Sequence, residues 1–369
     1  MKTIDIIRLF NTSLTIKRKY DRLINKCFAL TKPNYDNQML SYIYTKYEGT
    51  PGETYGLYDH TGAIGLVKHA NQMHEFLMPN QREWATLHKI DVVDPLLENE
   101  DDQQDYELFL EQINTKLFTL LQAHDSNFNP ELNSFLQDMA ISTGVLYIGK
   151  GTKDKPFSKC KHIPLWEVSF LPDENNKARD VFWIKYTYVR NLKVKYKDNP
   201  SIIRQLNKYY DDFKHIKIME CFIRDEDKTT QYTIAGLDRG YITLETIEHK
   251  VSPIIVARLN ANANDVYGTG EIMLAISLIE RANKIKGFIA KQLNSDFLGI
   301  KIINKERITN INTYKQDGVL YIDGADTDPS KIIYNPPFDY LKIEEYLGLK
   351  EIQEQITEYL LFRDCLNSN

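Results

Sequence analysis

The chain has 369 residues, 42% hydrophobic and 26% charged, which excludes an extended disordered polypeptide and leaves room for two or three modules around a sizeable core. Its net charge of -5 lacks the global cationic excess with which a dedicated duplex-DNA binder neutralises phosphates. A mildly acidic balance suits a wall over which DNA slides, and suits an ordinary cytosolic protein equally well.

The N-terminus, MKTIDIIRLF, has one lysine, no long apolar core and no small-residue cleavage site, so it does not read as a signal peptide. No run approaches the roughly 20 apolar residues that span a bilayer. Residues 14–31 predict a helix, with Leu14, Ile16, Tyr20, Leu23, Ile24 and Cys27 at three- and four-residue steps and Ser13 as its cap. Lys32-Pro33 ends it. Lys17, Arg18, Lys19, Arg22 and Lys26 fall mostly on the other face, which reads as solvated or subunit-contacting rather than as a DNA patch.

A second helix is expected over 60–78, with Ile64, Val67, Ala70, His74 and Leu77 as its stripe and Pro79-Asn80 as its stop. His69, His74 and Glu75 do not make a zinc-protease motif, because the two histidines are five apart and the glutamate lies outside them. Residues 95–125 predict another helix whose early acids, Glu98, Glu100, Asp101, Asp102 and Asp105, suit a solvated first turn. A divalent-cation cluster is the alternative there. A helix over 130–142 begins at Pro130, and Gly144 stops it before a Val145–Ile148 strand.

From 160 to about 260 the pattern turns to strands at 163–170, 181–189, 216–223, 232–235, 241–247 and 254–259, interrupted by a helix over 199–213. The cysteines, Cys27, Cys160, Cys221 and Cys365, stand far apart without a CxxC pair, which predicts reduced thiols and no structural zinc. Cys160 and His162 lack a second ligand pair at zinc spacing. The longest helix is expected over 269–295. Leu274, Leu278, Ala282, Ile285, Ile289 and Leu293 form its apolar stripe, and Ser277, Glu280, Lys284, Gly287 and Lys291 a polar one. Short strands at 300–303 and 319–322 precede a last helix over 338–364. The order is α+β without βαβ alternation.

No GxxxxGK[ST] loop, GxSxG elbow or other catalytic constellation occurs, so no catalytic residue, metal or cofactor is assigned. A rival reading is a nucleic-acid-processing enzyme with metal on Asp225, Glu226 and Asp227. Another is a generic virion structural or adaptor protein.

Three stretches stand in a telling order. Helix 60–78 runs on through Pro79 to Trp84; Ser126-Asn127-Phe128 precedes a helix and the Gly144-led strand; the 253–259 strand with Arg258 precedes Asp265-Val266-Tyr267-Gly268-Thr269-Gly270 and the long helix. Together they resemble the head-to-tail connector, or portal, family of short-tailed phages, over roughly residues 10–364. Glu271 replaces the proline usual after Tyr-Gly-x-Gly. Portals also continue past the last stem helix into a tunnel loop and crown, whereas this sequence stops at Asn369, so it reads as a fragment or a shortened portal.

The resemblance implies a portal-like α+β architecture: a wing over 1–260, a first stem helix over 261–296, a clip over 297–337 and a second stem helix over 338–369. It implies Ser277, Glu280, Lys284 and Lys291 facing a channel, and Lys301, Lys305, Arg307, Asp323, Asp326 and Asp328 on the clip. It further implies a non-enzymatic ring of about twelve subunits at one capsid vertex, assembled in the host cytoplasm. Its partners would be the major capsid protein, scaffold, terminase, tail adaptors and sequence-independent duplex DNA, with no membrane.

Overall fold

The computed structural model describes residues 1–32, 57–79, 83–87, 100–123, 126–149, 160–225, 228–237, 240–262, 264–298, 302–303, 333–334 and 343–360. Helix α1 covers Thr3–Thr31, eleven residues more at its N-terminal end than the periodicity from Leu14 predicts. Ile6 and Phe10 extend the same stripe and are buried. Ser13 is therefore not a cap but an interior residue, its buried hydroxyl donating to the Phe10 carbonyl at 2.7 Å and meeting Ser169 Oγ.

Helices α2 (Thr61–Leu77), α3 (Glu100–Gln122) and α4 (Phe128–Ile141) follow. Helix α4 starts at Phe128, so Pro130 occupies its third position, where a missing N–H is still harmless. Strand β1 (Thr143–Ile148) is the centre of a three-stranded antiparallel sheet between β2 (Cys160–His162) and β8 (Ile254–Arg258). A single 3-10 turn, Leu165–Glu167, leads into a five-stranded antiparallel meander of β3 (Val168–Pro172), β4 (Ala178–Tyr188), β5 (His215–Asp225), β6 (Lys228–Leu237) and β7 (Gly240–His249).

The helix expected over 199–213 is the short α6 (Pro200–Leu206), and a further short helix, α5 (Val189–Lys195), precedes it. Tyr188 ends β4, so Val189 opens a helix instead of closing a strand. Asn199 caps α6 by accepting from the Ile202 amide, Pro200 takes the first position, and the chain past Leu206 is turns.

Alternation along the meander separates two faces. Phe182, Ile184, Met219, Cys221 and Ile234 pack under Ile6 and Phe10 of α1, with the Phe10 and Phe182 rings 5.9 Å apart. On the opposite face Ile216, Ile218, Ala235 and Leu244 hold α5 and α6 through Val189, Leu192, Ile202 and Leu206. The other half of α1 enters the main core through Ile24, Cys27, Phe28 and Leu30.

The long helix α7 (Glu271–Leu298) and α8 (Ile343–Leu360) complete that core. The face that α7 buries is Ile272, Ala275, Ile276, Ile279, Ala282 and Asn283, rotated from the predicted stripe, and Leu274 is 52% exposed. Gly287, read as part of the polar stripe, is also buried, since a Cβ there would sit 2.9 Å from the Tyr58 ring. Tyr359 near the end of α8 bonds Glu271 at the start of α7, while Gln353 and Lys286 share Asp59 further along, so the two helices run antiparallel. A two-residue pair, β9 (Ile302–Ile303) with β10 (Ile333–Tyr334), lies between them in sequence. The predicted strand at 319–322 lies outside the described residues.

Candidate functional site

The residues that carried the resemblance converge where α4, β1 and β8 meet the start of α7. Ser142 Oγ donates to the Gly268 carbonyl at 2.7 Å, the Gly268 amide donates to Thr143 Oγ1 at 3.0 Å, and the Gly270 amide donates to the Ile141 carbonyl at 3.1 Å. Arg258 Nη1 donates to the carbonyls of Asp265 at 2.6 Å and Asn176 at 3.2 Å, closing the loop between β8 and α7. Tyr267 is fully buried between Tyr20 and Phe170, ring centroids 4.8 and 5.1 Å away, and burial holds its phenol well above the usual tyrosine range. Tyr20 donates in turn to Asp265.

This joint accounts for the Tyr-Gly-x-Gly pattern. A Cβ on Gly268 would lie 2.6 Å from the Ser142 carbonyl oxygen, and one on Gly270 would lie 2.1 Å from that of Ala140. Backbone can pass so close only where no side chain intervenes. The base of α7 is thus clamped to the α4–β1 corner. Gly144 on that corner packs against Phe135 in the same way.

The other signature residues serve a second corner. Trp84 packs edge-on to Phe118 and stacks on Phe128 at centroid distances of 5.3 and 6.4 Å. Ser126 Oγ donates to the Leu121 carbonyl and accepts from the Phe128 amide, and Asn127 adopts the left-handed conformation, φ 53°, that turns α3 into α4. Pro79 follows Met78, the C-cap of α2.

A buried ionic cluster that sequence reading missed lies beneath the joint. Asp138 is fully buried and accepts from Lys32 Nζ at 2.7 Å, from His162 Nε2 at 2.9 Å and from the Leu165 amide at 2.9 Å. His162 is therefore committed to Asp138. Cys160 is a buried thiol, which burial pushes up to about 11. Burial alone would raise the Asp138 carboxyl, but Lys32 and His162 outweigh it and hold the group at about 2. The carboxylate thus contributes stability fully above the unfolded value near 3.8 and loses it as pH falls toward 2. A shift of this size corresponds to about 2 kcal/mol. In urea titrations between pH 6 and pH 2, the wild-type protein should lose that much more stability than Asp138→Asn; parallel acid limbs would refute the role.

Lys17, read as a surface charge, is 2% exposed, and its Nζ donates to the carbonyls of Leu165 and Trp166 at 3.1 and 2.8 Å. Burial lowers its ammonium to about 8, against the pull of Asp21 and Glu167. Lys26 bonds Glu280, tying α1 to α7, and Lys284 pairs with the same carboxylate at 2.9 Å. Of the channel-facing candidates, Ser277 and Lys284 are exposed and Glu280 is held in this pair of bonds. The Lys291 side chain lies outside those described, as do the clip residues Lys301, Lys305, Arg307, Asp323, Asp326 and Asp328.

Among the described residues no three His, Cys, Asp or Glu side chains are grouped to hold a metal. Asp225 ends β5, while Glu226, Asp227 and Cys365 fall outside the described residues. The acids at 98, 101 and 102 likewise carry no described side chain. No described helix is long and apolar enough to cross a membrane.

A family model of bacteriophage head-to-tail connecting proteins matches residues 16–357, nearly the whole chain. The chain belongs to that family. No curated protein matches it. The connector is accordingly a structural component of the virion that associates with head and tail parts. Its clamped α7 base is the point where the α4–β1 corner is fixed to the long helix.

Proposed function

We propose that the connector assembles head to tail into a closed ring at one capsid vertex, a portal whose channel passes duplex DNA during packaging and ejection. One observation supports this reading above the others: the outer edges of the paired long helices are unlike and complementary. Leu274, Ser277, Arg281, Lys284 and Phe288 follow one another along the outward edge of α7, with Leu274 52% and Phe288 77% exposed. Helix α8 turns out Glu351, Glu354 and Glu358. In a cyclic assembly each subunit offers two different surfaces, one to each neighbour. A basic, apolar ridge and an acidic one on adjacent antiparallel helices meet that requirement.

In this reading residues 1–260 form the wing, and α7 and α8 form the stem. Ser277 and Lys284 stand where the seam opens on the channel, and Glu280 and Lys291 continue that wall. The insert 297–337, closed by β9 and β10, is the clip; its lysines, arginine and aspartates would dock terminase and, later, tail adaptors. Twelve subunits, with capsid protein and scaffold as neighbours, complete the proposed assembly.

The seam is tested by charge exchange. Reversing Glu351, Glu354 and Glu358 to lysine should abolish rings in negative-stain images and in sedimentation, since facing like charges oppose association. Adding Arg281→Glu and Lys284→Glu to the same chain should restore them. Rings unaffected by the first triple change would refute this seam. A wild-type protein that stays monomeric at high concentration and in particles would refute the ring.

A further inference from the structure

The overall charge of -5 conceals a local reversal. Residues 188–217 carry eight Lys and Arg against three Asp, a balance of +5. The stretch is also one structural module, α5, α6 and the turns that return the chain to β5, held by its own small core on the far face of the meander.

Within it the core-facing and outward residues differ in kind. Val189, Leu192, Ile202 and Leu206 point into the core. Arg190 and Lys197 lie seven apart on the opposite side, with Lys193 between them, and Arg204 and Lys208 lie four apart beyond. Two neighbouring cations are spoken for, Lys193 by Asp212 at 2.7 Å and Lys195 by Glu245 at 3.3 Å. Arg190, Lys197, Arg204 and Lys208 are exposed and make no ion pair among the described residues. Tyr210 is fully exposed and Phe213 is 66% exposed beside them.

We infer that this module is a docking surface for the phosphate backbone of duplex DNA, separate from any channel. Four uncommitted cations on one small module have no intramolecular reason to be gathered there, because clustering like charges costs free energy. A polyanion repays that cost by releasing its condensed counterions. Six of the eight cations in the stretch are lysines, a residue depleted at protein–protein interfaces. Phosphate contacts made by long, flexible cations fix position without reading sequence. The inference does not depend on ring formation, because the whole surface belongs to one subunit.

The test is anisotropy of a labelled random-sequence duplex with the full-length protein across a salt series. Four phosphate contacts contribute about 3.6 to the slope of log affinity against log salt, or about 150-fold between 50 and 200 mM. The variant Arg190→Ala, Lys197→Ala, Arg204→Ala, Lys208→Ala should lose that slope and that affinity. A matched variant with Lys2, Lys19, Arg22 and Lys68 changed to alanine, four exposed cations elsewhere, should keep both. Exchanging Arg and Lys at the four module positions keeps charge and should keep binding, which separates charge from misfolding. No wild-type binding, equal loss in both alanine variants, or binding that survives the module variant would each overturn the inference. So would displacement of the duplex by polyglutamate at equal charge concentration, the mark of an acidic protein partner.

Discussion

Replacing Asp138 by alanine is expected to destabilise the protein by about 3–5 kcal/mol, the usual cost of removing one member of a buried charge pair. The loss is so large because three donors depend on one carboxylate: Lys32 at 2.7 Å, His162 at 2.9 Å and the Leu165 amide at 2.9 Å. Shortening the side chain withdraws the shared acceptor from all three, and a buried donor left unsatisfied carries its own desolvation cost. Asp138→Asn keeps one acceptor oxygen and should lose less. Urea midpoints at fixed protein concentration check the order, concentration being fixed because assembly would add its own stabilisation. Lys32 also lies over the rings of Phe28 and Trp166, 5.2 and 5.6 Å from their centroids. Lys32→Met with Asp138→Leu should therefore recover part of the loss by filling the space with apolar atoms. If Asp138→Ala costs under about 1 kcal/mol, the value of an ordinary exposed pair, the cluster does not have the role given to it.

Gly270→Val is the second severe change expected. Its Cβ would stand 2.1 Å from the Ala140 oxygen and 2.3 Å from the Ala140 carbonyl carbon. These are backbone atoms at the end of a buried helix and cannot swing aside. Relief requires α7 to lift from the α4–β1 corner and break the bonds at Gly268 and Gly270. Overpacking of this kind costs about 3 kcal/mol or more, and the soluble yield should fall sharply. Gly348, where a Cβ would meet nothing within 4 Å, is the control, and alanine there should be neutral or slightly stabilising. A soluble Gly270→Val protein with wild-type stability would show that the clamp is not tight.

The α+β order and most elements were legible because they rest on local periodicity. The errors have separate physical causes. Periodicity alone starts α1 too late because Ser13 imitates a cap, whereas the Ile6–Phe10–Ser13–Lys17 steps run through it. Sequence alone does not place the buried face of α7, because apolar residues occupy nearly every position from Ile272 to Ile279. Several ladders fit such a run, and only the neighbouring helices choose between them. The burial of Lys17 is not legible because a lysine's type argues for exposure, while its fate here is set by two carbonyls far along the chain.

The site divides in the same way. The glycines and Arg258 were visible as a motif because close backbone approach restricts residue type. The Asp138 cluster joins Lys32, Asp138 and His162 across long stretches of chain with no spacing rule, so nothing local announces it. The basic module was within reach, since its charges are consecutive in sequence, but a whole-chain balance averages it away; a running charge window over 188–217 would have found it.

Helix α1, about 43 Å long at the α-helical rise, inserts one half beneath the meander and the other into the main core. Two sheets that share such a rod cannot melt separately, because releasing either strips apolar cover from the helix and exposes the other. Amide exchange should therefore show β1 and the central strands β4 to β6 opening together, in one slow event. The α5–α6 module packs on the far face of the meander, so its amides should exchange earlier and independently. A polyanion seated on that module would slow its exchange alone, leaving the rest of the subunit at its own pace.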